Sequence, residues 1–534
     1  MDGTFGEKTE SMFKTHTLLG SIGLLVLVAC GGGEENGSPP PEETKPAPTN
    51  EPGENAPPTP PGVTDFAIAS SGGPLVLRAK TPLAFDVAIE RKSGFAGDVF
   101  VEIGMLPPGV TADIMQPGAG NVAKIALTFG AAAMLGDYEI EIVARANDVT
   151  RTAKRALIVA GYVGTLDEAF GVSGVVTLPK DARALEIHLD SAGRTVVAGN
   201  DKAAKTPFFA RYSTIGKPET WSPDGAKRMA LSSDSETSYL YDMAVAPSGI
   251  FLVGSGTTSM NVTRACVLKL TEAGEKDLAW GDGGSRCFNS GATDVAGRLT
   301  VLSDGALIVA GITDNTDLTV TKLTPTGDLD TSFAGTGTKR IERVGLQQPF
   351  AVATDSKGRI LLDALCWDVS SACVFRLDQN GELDATFKGG VAFPKVDTAE
   401  GIFGAMVIGP NDEIYLAGES KTHTAFTALD PAGGPLQTFG TNGWRTEKFG
   451  SSSSFYSLVL DGERLVSGGA IWAAAEVKLT ALDLAGAVDP SLPSAGFPSV
   501  VGVNGELQAM AISPARATMI IDVATISKIH RVWR

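Results

Sequence analysis

The chain has 534 residues, 43% of them hydrophobic and 20% charged, with 63 glycines and a formal net charge of −17. That length carries two to four domains with real cores, and a glycine-rich, charge-poor composition suits short strands and tight turns better than long charged helices. A negative field of this size opposes phosphate backbones and anionic lipid surfaces, which argues against nucleic acid as a partner.

The first thirty residues form an address. Lys14 precedes an apolar run from Leu18 to Val28, about 16 Å long as a helix and too short to span a bilayer core of roughly 30 Å. It therefore has the character of a signal segment. The ending Leu27-Val28-Ala29-Cys30 resembles the lipobox of bacterial lipoproteins, and that resemblance implies that Cys30 becomes the lipid-bearing N-terminus. Met12 is the more natural start, because Asp2, Glu7 and Glu10 are foreign to a positive leader. The expected location is exported and lipid-anchored to the cell envelope, at the outer membrane and facing the periplasm or the surface. Acyl chains are the expected membrane contact.

Residues 31–62 hold ten prolines among Gly, Glu, Asn and Thr. With almost nothing apolar to bury, the segment cannot offset its ordering entropy, and it is expected to be an extended, disordered tether.

Residues 63–161 alternate with period two. Phe85, Val87 and Ile89 interleave with Asp86, Ala88 and Glu90, and Tyr138, Ile140 and Ile142 with Glu139, Glu141 and Val143. Half-buried strands have this pattern. Glycine and Pro107-Pro108-Gly109 punctuate about seven short runs, as in a β-sandwich. The stretches Gly94-Phe95-Ala96-Gly97-Asp98-Val99, Leu106 to Ala112 and Leu135-Gly136-Asp137-Tyr138 resemble bacterial immunoglobulin-like modules, which implies a spacer or adhesive unit.

From residue 162 to 534 the chain repeats itself about every 54 residues. Asp190 to Gly199 recurs as Ser303 to Gly311 and Asn411 to Gly418, and the closing positions are Gly199, Gly254, Gly311, Ala364, Gly418 and Gly468, with a degraded seventh copy at Thr518 to Asp522. A second marker, Gly327-Asp328-Leu329-Asp330-Thr331-Ser332-Phe333, returns at Gly381 to Phe387 and Gly164 to Phe170. These residues resemble the delta-60 repeats of bacterial β-propellers, a family defined by fold that implies no particular reaction. Each copy shows three strands and a fourth after the aromatic marker. The strand at 174–178 precedes the first copy, and the last copy ends on its third strand, so a ring of seven closes without remainder. The expected fold is all-β: an immunoglobulin-like β-sandwich followed by a seven-bladed β-propeller.

A base stands five residues before the third-strand turn glycine at Arg211, Lys269, Lys322 and Arg376, and an acid three residues after it at Glu219, Asp277, Asp330 and Asp384. Copy five loses both, with Ala428 in the base's place. Cross-strand ion pairs that hold register explain this, and the same rule joins Arg531 to Asp167 across the ring closure. Cys266 with Cys287, and Cys366 with Cys373, fall on adjacent antiparallel strands and are expected to form disulfides in an oxidising compartment.

Chemistry is sparse. The histidines His16, His188, His423 and His530 stand far apart, and no nucleophile, zinc or phosphate-loop motif is present. Neither catalytic residues nor a metal or cofactor are expected, and the Asp-rich turn Thr313 to Asp317 is expected to be a solvated turn rather than a calcium loop. The loops entering the innermost strands carry Asp181, Asp234, Glu236, Asp294, Gln347, Gln348, Glu400, Ser453 and Glu506, so the ring mouth should be polar and mostly acidic. The expectation is a platform for a protein or glycan ligand at the propeller face. The alternative is a secreted hydrolase or lyase acting on a polysaccharide or other envelope polymer.

Overall fold

The structure is a computed structural model that describes residues 65–534 except 80, 93, 220–224, 315, 343–346, 367–370, 397–398, 422, 450–451, 491, 493–495 and 524–525. Cys30, the apolar run and the tether lie outside the described residues. The described chain forms two compact units, 65–161 and 162–534.

The first unit is two four-stranded sheets. One runs in the order Asp65–Ala69, Leu83–Lys92, Val122–Phe129, Val110–Met115; the other runs Leu75–Arg78, Val149–Ala160, Gly136–Ala146, Phe100–Ile103. Leu75–Arg78 joins its sheet in parallel with Val149–Ala160, and the other pairings are antiparallel. The alternation seen in the sequence works as expected: Val87, Ile89, Ile140 and Ile142 are buried between the sheets while Asp86, Glu90, Glu139 and Glu141 face solvent. The hydroxyl of Tyr138 donates to the Met134 carbonyl at 3.0 Å, pinning the turn that enters its strand.

The second unit contains seven four-stranded antiparallel sheets among its described residues. Their first strands are Ala182–Leu189, Ser235–Ala246, Asp294–Val301, Gln347–Thr354, Ile402–Ile408, Ser453–Asp461 and Glu506–Ser513. Each first strand touches the next, and the last touches the first. The seventh sheet takes its fourth strand from the front of the unit: Val175–Thr177 pairs with Ile526–Trp533 through His530↔Val175, Ile529↔Val176 and Lys528↔Thr177. The first and seventh sheets also share one core, in which Phe170, Ile187 and Phe208 pack with Ala509, Ile520 and Ile529. Closure of this kind removes exposed strand edges.

The recurring sequence markers have physical causes. Each first strand carries a β-bulge, and the carbonyl just before it crowds the second strand. A Cβ on Gly199 would sit 2.0 Å from the Arg183 oxygen, and one on Gly254 1.9 Å from that of Tyr239. Gly311, Gly418 and Gly469 are crowded in the same way. In the sixth sheet the equivalent glycine is thus Gly469, one residue beyond the Gly468 that the sequence pattern names. Ala364 and Ile521 hold this place in the fourth and seventh sheets. Gly254→Ala is expected to cost about 1–3 kcal/mol through overpacking, read as a shift in urea midpoint; an unchanged midpoint would show that the first strand yields freely.

The turn glycines are needed for a different reason. Trp280 and Phe333, each no more than 2% exposed, reach into the next sheet and lie under its third-strand turn. A Cβ on Gly327 or Gly381 would come within 2.7 or 2.8 Å of these rings. Burying such a ring contributes about 2–3 kcal/mol, so the aromatic marker is an inter-sheet anchor.

The base–acid pairs are in place: Arg211–Glu219 at 2.6 Å, Lys269–Asp277 at 2.9 Å, Lys322–Asp330 at 2.9 Å, Arg376–Asp384 at 2.9 Å and Arg531–Asp167 at 2.8 Å. The arginines do more than hold register within a sheet. Arg211 donates to the Glu272 carbonyl at 2.6 Å, Arg376 to that of Pro431 and Arg531 to that of Thr214, each in the turn of the following sheet. In the fifth sheet, where Ala428 replaces the base, Tyr415 pairs opposite it and donates its hydroxyl to the matching carbonyl of Leu484 at 3.3 Å. The link between sheets survives the loss of the ion pair because a second-strand side chain replaces it.

Candidate functional site

The bulge places one residue of each first strand in an equivalent position: Glu186, Asp242, Arg298, Ala351, Ala405, Ser457 and Ala509. Bulges re-aim side chains, and in three consecutive sheets the re-aimed residue is charged. The Arg298 guanidinium donates to the carbonyls of Phe350 at 2.6 Å, Tyr241 at 3.1 Å and Gly297 at 2.7 Å, clasping three adjacent first strands. Asp242 accepts from the amides of Leu299 at 2.8 Å and Met243 at 2.8 Å. Glu186 is fully buried and its carboxyl has no hydrogen-bond partner.

Burial raises the pKa of all three carboxyls here. Glu186 is pushed well above the usual range by desolvation and by Asp242, with Arg298 opposing. Asp242 is raised to about 6 by desolvation, against the pull of Arg298 and two amides. Asp363 on the fourth sheet is likewise raised well above its ordinary value by burial. Among these groups Arg298 is the one base, and it opposes the upward shift of Glu186. Arg298 and Asp242 are engaged with backbone, whereas the carboxyls of Glu186 and Asp363 are buried without a hydrogen-bond partner.

His188 is buried, and desolvation, opposed by the Met243 backbone, lowers it to about 4, so it is a neutral core side chain. Burial also lowers His530 to about 4. Among the described residues no three His, Cys, Asp or Glu side chains are placed to hold a metal ion. In the Asp-rich turn, Asp317 pairs with Arg340 at 2.6 Å and Asp314 with the same guanidinium at 3.4 Å. Disulfides join Cys266 to Cys287 and Cys366 to Cys373. Among the described residues no helix is long and apolar enough to cross a membrane.

The mouth is less uniformly acidic than its loops suggest. Asp294 is buried and accepts from the Ser290 and Gly291 amides. Asp234 is held by Arg264 at 2.5 Å, and Ser453 is buried against Thr424. The side chains of Gln347, Gln348 and Glu400 lie outside the described residues.

Between the sixth and seventh sheets lies a narrow, half-enclosed crevice with an interior of about 10 Å³, lined among others by Ser454, Tyr456, Ser457, Trp472, Glu506 and Gln508. Trp472 comes from the short turn Trp472–Ala474 that joins the second and third strands, and Glu506 and Gln508 from the start and the bulge of the seventh first strand. The lining contains no Lys, Arg or His. Behind Tyr456 stands Glu419 of the fifth sheet, whose carboxyl is raised by burial and partly held down by the Tyr456 hydroxyl. Sequence reading named Glu506 but not its companions, because Trp472 and Gln508 belong to different repeats and meet only through ring curvature.

Residues 302–333 match the family described as a domain of unknown function (DUF5122) beta-propeller. No curated protein matches the sequence. Among solved structures the chain is similar to BamB from Moraxella catarrhalis, at 11% identity over 68% of this chain and 89% of that one, with a TM-score of 0.36. It is similar to the C-terminal domain of PilY1 from Pseudomonas aeruginosa, at 10% identity over 63% and 92%, with a TM-score of 0.34. It is also similar to a GH43 beta-xylosidase/alpha-arabinofuranosidase from a compost microbial metagenome, at 10% identity over 60% and 98%, with a TM-score of 0.29. Together with the closed ring of sheets, the family match identifies the second unit as a β-propeller.

Proposed function

We propose that this chain is an exported lipoprotein of the cell envelope that presents a β-propeller as a binding platform. In this reading Cys30 carries the lipid, 31–62 is a tether, 63–161 is an immunoglobulin-like spacer, and 162–534 is a propeller of seven blades. The sheet orders of the first unit, with a tyrosine hydroxyl bonded to backbone four residues upstream, support the immunoglobulin-like assignment. Two disulfides support an oxidising compartment.

The observation that carries the platform reading is the division of labour at the axis. The most perturbed carboxyls, Glu186, Asp242 and Asp363, are buried around Arg298, while the crevice between the sixth and seventh sheets is lined by the half-exposed Trp472 and Glu506 together with buried hydroxyl and amide groups. That is a set of groups for recognition. Hydrolysis or lysis of a polymer is the second reading, favoured only by the presence of Glu506 in the cleft with Glu419 behind Tyr456. A glycan array probed with the purified chain, followed by a hydrolysis assay on every hit, decides between them. Saturable binding without product is the expected result; released product would replace the platform with the enzyme.

A further inference from the structure

We infer that the first unit inserts one of its ends, formed by 104–109 and 130–135, into the surface of a zwitterionic lipid bilayer. This rests on the lipoprotein reading, which keeps a bilayer within reach, and goes beyond it by giving the unit a membrane contact of its own.

Both segments cross between the two sheets at the same end of the unit. Neither contains a charged residue, in a chain of which 20% is charged. Met105 is 89% exposed, Met134 59% and Leu135 46%, and Pro108, Ala131 and Ala132 are exposed as well. The exposed Met115 and Phe100, by contrast, sit opposite Lys124 and Arg145 on neighbouring strands.

This end is built before any partner arrives. Leu106 and Ala133 pack against the core and fix both segments to it. The Gly104 amide donates to the Glu141 carbonyl at 2.8 Å, that of Gly130 to Gly109 at 2.9 Å, that of Ala133 to Gly130 at 3.0 Å and that of Met134 to Pro108 at 3.2 Å. Backbone that enters lipid must find its partners within the protein, and these four amides have theirs. The soft, flexible side chains of Met105 and Met134 suit irregular apolar surroundings.

Size, charge and reach select the bilayer. Three large side chains fall far short of the roughly 800 Å² per partner that a stable protein interface buries. The uncharged segments offer no hold on anionic lipid, which the formal charge of −17 repels. The tether enters at the opposite end of the sheets, since Asp65 pairs with Lys92 while Leu83 pairs with Leu127. Residues 31–64 nevertheless extend to roughly 100 Å, against about 40 Å for the longest strand, Val149–Ala160. The anchored chain can therefore turn this end back onto its own membrane. Tethering raises the effective concentration of that surface, so a small apolar patch is enough to engage it.

The test is tryptophan quenching. The full chain carrying Met134→Trp, or Met115→Trp at the other end of the unit, is placed on vesicles of phosphatidylethanolamine and phosphatidylcholine brominated in their acyl chains. The emission that Met134→Trp adds to the parent's is expected to be quenched, and to stay quenched as salt is raised, because no charge makes the contact. The emission that Met115→Trp adds should be spared. Combining Leu135→Asp with Met134→Trp should abolish the quenching. Melting curves of the variants that match the parent's show that folding is intact, and the mass of the N-terminal peptide shows separately whether Cys30 is acylated. Quenching that is equal at the two positions, absent from both, or unmoved by Leu135→Asp overturns the insertion, and acylated Cys30 in that case keeps the anchor. Quenching confined to Met134→Trp in a chain without acyl groups keeps the insertion and overturns the lipid anchor.

Discussion

Replacing Asp167 by alanine is expected to destabilise the propeller by about 3–5 kcal/mol. Asp167 is 2% exposed and its Oδ2 accepts from Arg516 Nε at 2.7 Å and Arg531 Nε at 2.9 Å. Both guanidinium groups are themselves wedged against rings, Arg516 over Trp533 and Arg531 over Phe170, each at 4.5 Å. Without the carboxylate, two buried cations face each other where Val175–Thr177 closes the seventh sheet. The same substitution at Asp277 removes a more exposed partner of Lys269 and should cost no more than about 1 kcal/mol. Urea midpoints of the two variants test the contrast. Faster amide exchange confined to Val175–Thr177 and Ile526–Trp533 would show that the ring opens at its seam. Equal midpoints for Asp167→Ala and Asp277→Ala would mean that the closure does not depend on this ion cluster.

The second large effect is a stabilisation. Glu186→Gln is expected to change stability least at acid pH and to raise it progressively as pH rises towards 8. Glu186 and Asp242 both have folded pKa values above their unfolded ones. Their contribution to stability is fully present only below the unfolded values of 3.8 for Asp and 4.5 for Glu, and it is lost as pH rises from there through the folded values. For Asp242 that loss sets in at the unfolded value and is complete once pH has passed about 6; Glu186 shifts in the same direction. Facing Glu186 are Asp242 and Arg298, with His188 two residues along the same strand held neutral by burial. Glutamine keeps the shape of the protonated acid and cannot ionise, and no hydrogen bond is lost because the carboxyl makes none. Melting temperatures of parent and variant from pH 4.5 to 8 should diverge with rising pH. Parallel curves would show that Glu186 does not titrate against the fold.

Much of the propeller can be followed along the chain because its signals are local or strictly periodic. The spare strand at 174–178, the aromatic markers and the base–acid spacing each depend on neighbours within one hairpin or on a constant repeat interval. The cysteine pairs follow from the same logic: Cys266 and Cys287 face each other on adjacent strands of one sheet. Elsewhere the periodic reading needed correction by geometry. The bulge in Ser453–Asp461 puts Gly469 rather than Gly468 under the Ser454 carbonyl, and Asp294 folds back onto Ser290 instead of facing the mouth. Glu186, Asp242 and Arg298 could have been found by laying the copies over one another, since they fall 56 residues apart. Their charges were hidden by surrounding apolar residues that read as ordinary strand.

The amino-acid sequence alone was enough to determine an all-β repeat protein, which strand seals its last sheet, and which cysteines and ion-pair partners oppose each other. Each of these is a matter of spacing along a twisted strand or between identical copies. Tertiary structure decided which polar groups meet between sheets: the Arg298 clasp, the Tyr415 hydroxyl that stands in for a missing arginine, and the cleft where Trp472 joins Glu506. Those encounters depend on how far a bulge turns a side chain and how tightly the ring curves, and distance along the chain contains neither quantity.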